Sequence, residues 1–387
     1  MTPAAQPASW APSAPRTTID LDAVAANTRV LAARTSADLM AVVKADAFGH
    51  GAVPVARTAL SSGATWLGVT SITEALELRA AGIVAPVLSW LNPLSADFGS
   101  AVAQRVDLAV PGRLHLDAIA TAAAATGTQA AVHLHLDVGM ARDGSGADEW
   151  AALCAQARRY ERRGLVCVVG VMGHLGGADR PGDVTSALGL ARFDDGVDVA
   201  RSAGLRPRVR HLAATAALLN EPATHLDLCR VGAGLFGIDP AGGSGLRPAM
   251  TMTAPVVTVR DVAAGTPVGY GHTWAAPTAT RLALLPVGYA DGLPRACSGA
   301  AEVMVHGTRR PVVGTISMDQ VVVDIGDLRV RPGDQVVVFG SGVDGAPTAA
   351  EWAAWAGTIE HEILTGIGRR VERVTTPMRA RRLRGVR

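Results

Sequence analysis

The chain has 387 residues, 49% of them hydrophobic, and a mean hydropathy of +0.24. That excludes a disordered chain, and the length points to two domains, because single cores stop growing near roughly 250–300 residues. The 36 Lys and Arg nearly balance 34 Asp and Glu, for a net charge of +2. The signs are interspersed, so no nucleic-acid partner is favoured. Lys44 is the single lysine, and the other 35 of these cations are arginine. Heavy use of Ala and Gly beside this reads as compositional drift. One lysine surviving the drift is either chance or a site where arginine cannot do the job.

Cys154, Cys167, Cys229 and Cys297 form no CxxC pair. Neither a zinc site nor a disulfide framework is indicated, so no metal is expected, and a reducing cytoplasm fits. No run approaches the ~20 apolar residues of a membrane span. Residues 1–15 lack the apolar core of a signal segment and read as a loose tail.

From residue 16 the pattern alternates. A short strand at 17–20 precedes apolar residues at helical spacing, Leu21, Val24, Val30 and Leu31. Strands follow at 39–43, 66–70, 87–91, 106–110, 131–137, 166–172, 209–212 and 226–230. Helical patterns lie between them, such as 148–161 and 186–203. Such alternation implies a parallel sheet, and about eight units favour a (β/α)8 TIM-like barrel over 16–245. After GSGLRPAM (243–250) the runs become short and β-branched, separated by Gly, Pro and Asp. They predict a mainly antiparallel β domain over 246–387, interrupted by one helix at AAEWAAWAGTIEHEIL.

A barrel carries its site at the C-terminal strand ends. Lys44, Arg142, His174, His211, Thr215 and Arg230 all fall there. Singly, each is more readily a solvated charge or a packed histidine; together they raise the odds of a site. Lys44 stands out, because a buried amine can become a neutral nucleophile and a guanidinium cannot.

The stretch AVVKADAFGHGA (41–52) resembles the cofactor-lysine motif of the alanine racemases. The resemblance recurs in HLDVGMARDG (135–144), MGHLGGAD (172–179), HLAATAA (211–217), CRVGAGLFGI (229–238), VGYGHTW (268–274), PVGYADGLPR (286–295) and GTISMDQ (314–320). It implies a homodimeric racemase dependent on pyridoxal 5′-phosphate, interconverting the small amino acids L- and D-alanine by a two-base mechanism. In that resemblance Lys44 binds the cofactor and is one base. Tyr270, reaching in from the partner subunit, is the other. Arg230 faces the pyridine nitrogen, supported by His211, with His174 beside the ring. Thr215, Gly232 and Ala233 receive the phosphate. Arg142 contacts cofactor and substrate carboxylate, and Tyr289, Met318 and Asp319 form the entrance, contributed by the second subunit.

Elementary chemistry supports these roles. Inverting a stereocentre needs proton removal on one face and delivery on the other. Lysine and tyrosine are poor bases at their free values, about 10.4 and 10, so both need shifting toward neutrality. The chain has only three tyrosines, Tyr160, Tyr270 and Tyr289, and two of them fall on these positions.

Three positions depart from the family pattern. Phe48 replaces a phosphate-binding tyrosine. His361 replaces a second, gate-side tyrosine and can still donate to phosphate. His135 replaces a lysine that many members carry as a carbamate orienting the arginine, so Arg142 is expected to lean on another acceptor or on substrate. These changes keep alternatives open: racemisation of another amino acid, decarboxylation on the same fold, or cofactor binding without turnover.

Overall fold

The computed structural model describes residues 13–180, 182–239 and 242–376; residues 1–12 of the expected tail lie outside them. The chain divides into two compact units, one of residues 22–247 and one that joins residues up to Leu21 to those from Pro248 onward.

The first strand, β1 (Arg16–Asp20), does not open the barrel as its place in the sequence suggested. It pairs antiparallel with β10 (Met250–Pro255) and parallel with β19 (Glu372–Thr376). Its partners are more than 200 residues away, where no local pattern can announce them. The Arg16 guanidinium donates to Glu372 at 2.7 and 2.9 Å and pins this register.

The barrel unit begins with the helix Leu21–Ala32. Its strands are β2 (Asp38–Val42), β3 (Trp66–Val69), β4 (Val87–Ser89), β5 (Asp107–Val110), β6 (Ala130–His135), β7 (Val166–Met172), β8 (Val209–His211) and β9 (Leu228–Val231). They form one parallel eight-stranded sheet in the order 8-7-6-5-4-3-2-9. The strands are apolar almost throughout, as expected for a sheet covered on both faces. Met40, Leu88, Ala109, Met172 and Leu228 pack together inside, with Trp66 and Trp90 against them.

At the β8/β9 seam, Asp227 N donates to Arg210 O at 3.1 Å and Arg230 N to Ala213 O at 3.0 Å. Arg210 closes the seam, donating from Nε and Nη2 to Asp227 at 2.8 and 3.1 Å. The Arg210 hydrogen bond, against some desolvation, holds the Asp227 carboxyl below the usual carboxylate range. A depressed carboxylate stabilises the fold above its unfolded value, near 3.9, and loses that contribution as pH falls through the folded value. Asp227→Asn is therefore expected to lower the thermal midpoint at pH 7, with the gap to the parent closing in acid below about pH 4. Melting curves across that range check it.

The second unit is one nine-stranded sheet plus a two-stranded ribbon, and its pairs are antiparallel except β1 with β19. The single helix expected here is two, Ala349–Ala356 and Glu360–Gly366. Gly357, at φ 70, takes the left-handed C-cap that ends the first.

Candidate active site

Eight of the sequence-identified residues lie at the strand ends of the barrel unit. Lys44 follows β2, and the backbone after it is unusual. Residues 45–48 take φ 51 to 55 with ψ 38 to 52, a left-handed turn of four residues, none of them glycine. Each such residue costs roughly 1–2 kcal/mol, so the turn needs bracing. Glu74 Oε1 accepts from Ala45 N at 2.7 Å, and Asp46 Oδ1 accepts from Ala52 N at 2.7 Å. The other oxygen of Glu74 serves the capping box of the helix Ile72–Ala80. One carboxylate thus ties the lysine turn to the next strand-helix unit. Burial, and then the charge of Arg142, lower the pKa of Lys44, outweighing the opposite pull of Glu74. A neutral amine is the form that can act as nucleophile or base.

Arg230 in β9 is 6% exposed. Its Nη1 donates to His211 Nδ1 (3.1 Å) and His211 O (2.8 Å). Its Nη2 donates to Gly173 O (2.7 Å), Leu212 O (3.2 Å) and His174 Nδ1 (3.3 Å). Every acceptor is neutral, and among the described residues its Nε has none. Burial lowers its pKa to about 10, which still leaves a cation at neutral pH. A buried cation with one free N–H and no carboxylate fits an acceptor such as an unprotonated ring nitrogen.

His174 is pushed down to about 3 by burial and then by the charges of Arg230, Arg142, His135 and Lys44. It is therefore neutral. Because its Nδ1 accepts from Arg230, its proton sits on Nε2. Thr215 Oγ1 accepts from Gly232 N (3.2 Å) and Gly234 N (3.3 Å), leaving its own O–H to donate. Ala233 opens the short turn Ala233–Phe236 with no side-chain cap, so its N–H lacks a partner inside that turn. A hydroxyl and a backbone N–H converging there suit a phosphate. Phe48 packs beside them: a Cβ on Gly232 would lie 2.9 Å from its ring. No hydroxyl reaches the cradle from position 48.

Arg142 rides on the loop after β6, beside a shallow cleft also lined by His135, Asp137, Asp143 and His174. Asp137 Oδ1 accepts from Gly139, Met140 and Ala141 N at 2.9 to 3.2 Å and shapes this loop. Gly144, at φ 106, lets the chain return: a Cβ there would stand 2.8 Å from Asp137 N. Sequence reasoning passed over Asp137 and Glu74. The signal for Asp137 was present, since an aspartate before a Gly-rich turn often folds the backbone onto itself. His135 Nδ1 lies 3.5 Å from Asp143 Oδ2. Among the described residues, the Arg142 guanidinium has no hydrogen-bond or ion-pair partner. The alternative acceptor expected for it is absent among them, and it is free for an anionic ligand.

The remaining five belong to the second unit. Tyr270 is 74% exposed, in a turn bounded by Gly269 (φ 69) and Gly271 (φ 70). Thr315 Oγ1 donates to Tyr270 O at 3.1 Å. Tyr289 and Met318 share one loop pair, since Tyr289 N donates to Ser317 O (3.1 Å) and Ala290 N to Met318 O (2.8 Å). Asp291, buried, accepts from Gly288 N at 2.9 Å and pairs with Arg370 at 3.2 Å, fixing that loop. Tyr289, Met318 and Asp319 are exposed. His361 sits on the helix Glu360–Gly366.

Comparison with known proteins decides the family. Residues 19–240 match the model of the alanine racemase N-terminal domain, and residues 249–375 that of its C-terminal domain. The chain belongs to the alanine racemase family. It is 47% identical over 362 residues to the alanine racemase of Frankia casuarinae, covering 92% of this chain and 94% of that one. It is 46% identical to that of Thermobifida fusca, covering 92% and 97%. The alanine racemase structure from D-cycloserine-producing Streptomyces lavendulae matches with a TM-score of 0.93 at 44% identity, covering 95% of this chain and 98% of that one. The Bartonella henselae structure, which carries covalently bound pyridoxal phosphate, matches at 0.85 with 27% identity, covering 94% and 100%. The (β/α)8 barrel with its β domain is therefore this family's architecture. No helix among the described residues is long and apolar enough to cross a membrane, and no His, Cys, Asp or Glu cluster among them could hold a metal.

Proposed function

We propose that the chain interconverts L- and D-alanine in the cytoplasm as a homodimer, with pyridoxal 5′-phosphate held on Lys44. The observation that carries this reading is Arg230, a buried cation whose partners are all neutral and whose Nε–H is free. Thr215, with the backbone of Gly232 and Ala233, would hold the phosphate, His174 would lie by the ring, and His361 would add a donor toward the phosphate. When bound, the cofactor supplies an electron sink that makes the α-proton of an amino acid removable.

The chain's residues then do the rest. Arg142 binds and orients the substrate carboxylate. Lys44 Nζ takes or returns the proton on one face of the α-carbon. Tyr270 Oη of the partner subunit does so on the other face. Arg230 donates and never accepts, so it withholds a proton from the ring nitrogen and limits side reactions that a protonated ring favours. Tyr289, Met318 and Asp319 of the partner subunit narrow the entrance and so select a small side chain. The exposure of Tyr270 in one chain supports a partner that covers it.

Phe48, His135 and His361 favour a second reading, a broader set of amino acids. A panel of L-amino acids with the cofactor-loaded protein separates the two. Alanine is expected to racemise fastest. A larger amino acid outrunning alanine supports the second reading, and CO2 release without racemisation overturns both.

A further inference from the structure

Behind Arg230 a chain of buried polar groups crosses the barrel interior, and beyond His211 the reaction above gives it no task. His211 Nε2 lies 2.8 Å from His133 Nδ1, and His133 Nε2 lies 3.2 Å from Asp107 Oδ2. His133 and His211 are 0% exposed, and Asp107 is 9% exposed at the start of β5. Trp66 meets the His133 ring edge-on at 5.6 Å. His133 and His211 are themselves edge-on at 5.0 Å.

The direction of every bond is forced. A guanidinium has donors only, so His211 Nδ1 must accept from Arg230. The one proton of neutral His211 is then on Nε2 and is donated to His133 Nδ1. That places the His133 proton on Nε2, where the Asp107 carboxylate accepts it. A doubly protonated His211 would turn an N–H toward the guanidinium. Burial, His133 and Arg230 all disfavour that charge, holding its pKa well below the usual histidine value. If Asp107 were an apolar residue, His133 could flip its proton to Nδ1. His211 would then have to give up its bond to His133 or its bond to Arg230.

We propose that Asp107 and His133 are positioning residues for Arg230, fixing the one tautomer of His211 that can receive the guanidinium. This rests on the reading that Arg230 faces the ring nitrogen of the cofactor. It assigns a working role to an aspartate at the far end of the barrel strands, where stability alone is the default expectation.

The test uses cofactor-loaded protein, with ¹⁵N-labelled histidine for NMR and with alanine turnover, cofactor dissociation and thermal midpoint measured alongside. In the parent, His211 is expected as the Nε2–H tautomer. Asp107→Leu removes the last acceptor and is expected to give a mixed His211 tautomer. Its kcat should fall roughly tenfold, the lower end of what losing a partner that orients a metal-bound histidine costs, with KM for alanine little changed. Asp107→Asn keeps an accepting oxygen and should restore both the tautomer and most of kcat. A parental His211 protonated at Nδ1 overturns the proposal even if the leucine variant fails to fold. So does a folded leucine variant with parental tautomer and turnover, or an asparagine variant as impaired as the leucine one at equal thermal midpoint. Failure of the functional reading looks different: the parent itself would then neither bind the cofactor nor racemise alanine.

Discussion

Lys44→Arg is expected to abolish racemisation, by at least ~10³-fold, since it removes a covalent attachment point and a general base together. The replacement keeps charge and length, and the fold should survive it. Position 44 is half-buried, directly after the buried run 39–43, and arginine is the cation this chain uses everywhere else. What is lost is the ability to become neutral. Burial and Arg142 already pull the Lys44 amine down, whereas a guanidinium stays protonated. The variant should therefore melt near the parental temperature yet retain no cofactor through gel filtration. Turnover within tenfold of the parent would show that Lys44 is not the attachment site.

Tyr270→Phe is the second large effect. It removes one hydroxyl from a turn whose shape depends on Gly269, Gly271 and the Thr315 hydroxyl rather than on the phenol. Cofactor binding should be parental. Turnover should fall ~10²–10⁴-fold, the usual worth of a positioned acid or base. Because the two bases serve opposite faces, the residual activity should be unequal in kind. In deuterium oxide, the enantiomer whose α-proton faces Lys44 should still exchange solvent deuterium without inverting. Exchange of both enantiomers at parental rates would remove Tyr270 from the mechanism.

Much of this architecture was legible in the sequence, for definable reasons. The barrel strands announce themselves because a parallel sheet covered on both faces must be apolar throughout, as in residues 39–43 and 166–172. Lys44 was legible because the surrounding composition had eliminated every other lysine. The strand at 16–20 misled, because its partners Thr251 and Val374 lie far along the chain. The relay was hidden for a related reason. His133 stands two residues before His135 in β6 and looks like any strand residue until Asp107 and His211 come beside it from β5 and β8. Glu74 was hidden by doing two jobs, of which only the helix cap has a local signature. The left-handed turn at 45–48 had almost no signature, since aspartate tolerates positive φ but two alanines and a phenylalanine give no hint of it.

The most direct test of the account is where the cofactor attaches. The protein loaded with pyridoxal 5′-phosphate, reduced with borohydride and digested, should yield the pyridoxyl adduct on the peptide containing Lys44 and on no other. No second lysine exists to confuse the result. Cofactor that stays bound while Lys44 is recovered unmodified would contradict the account at its centre.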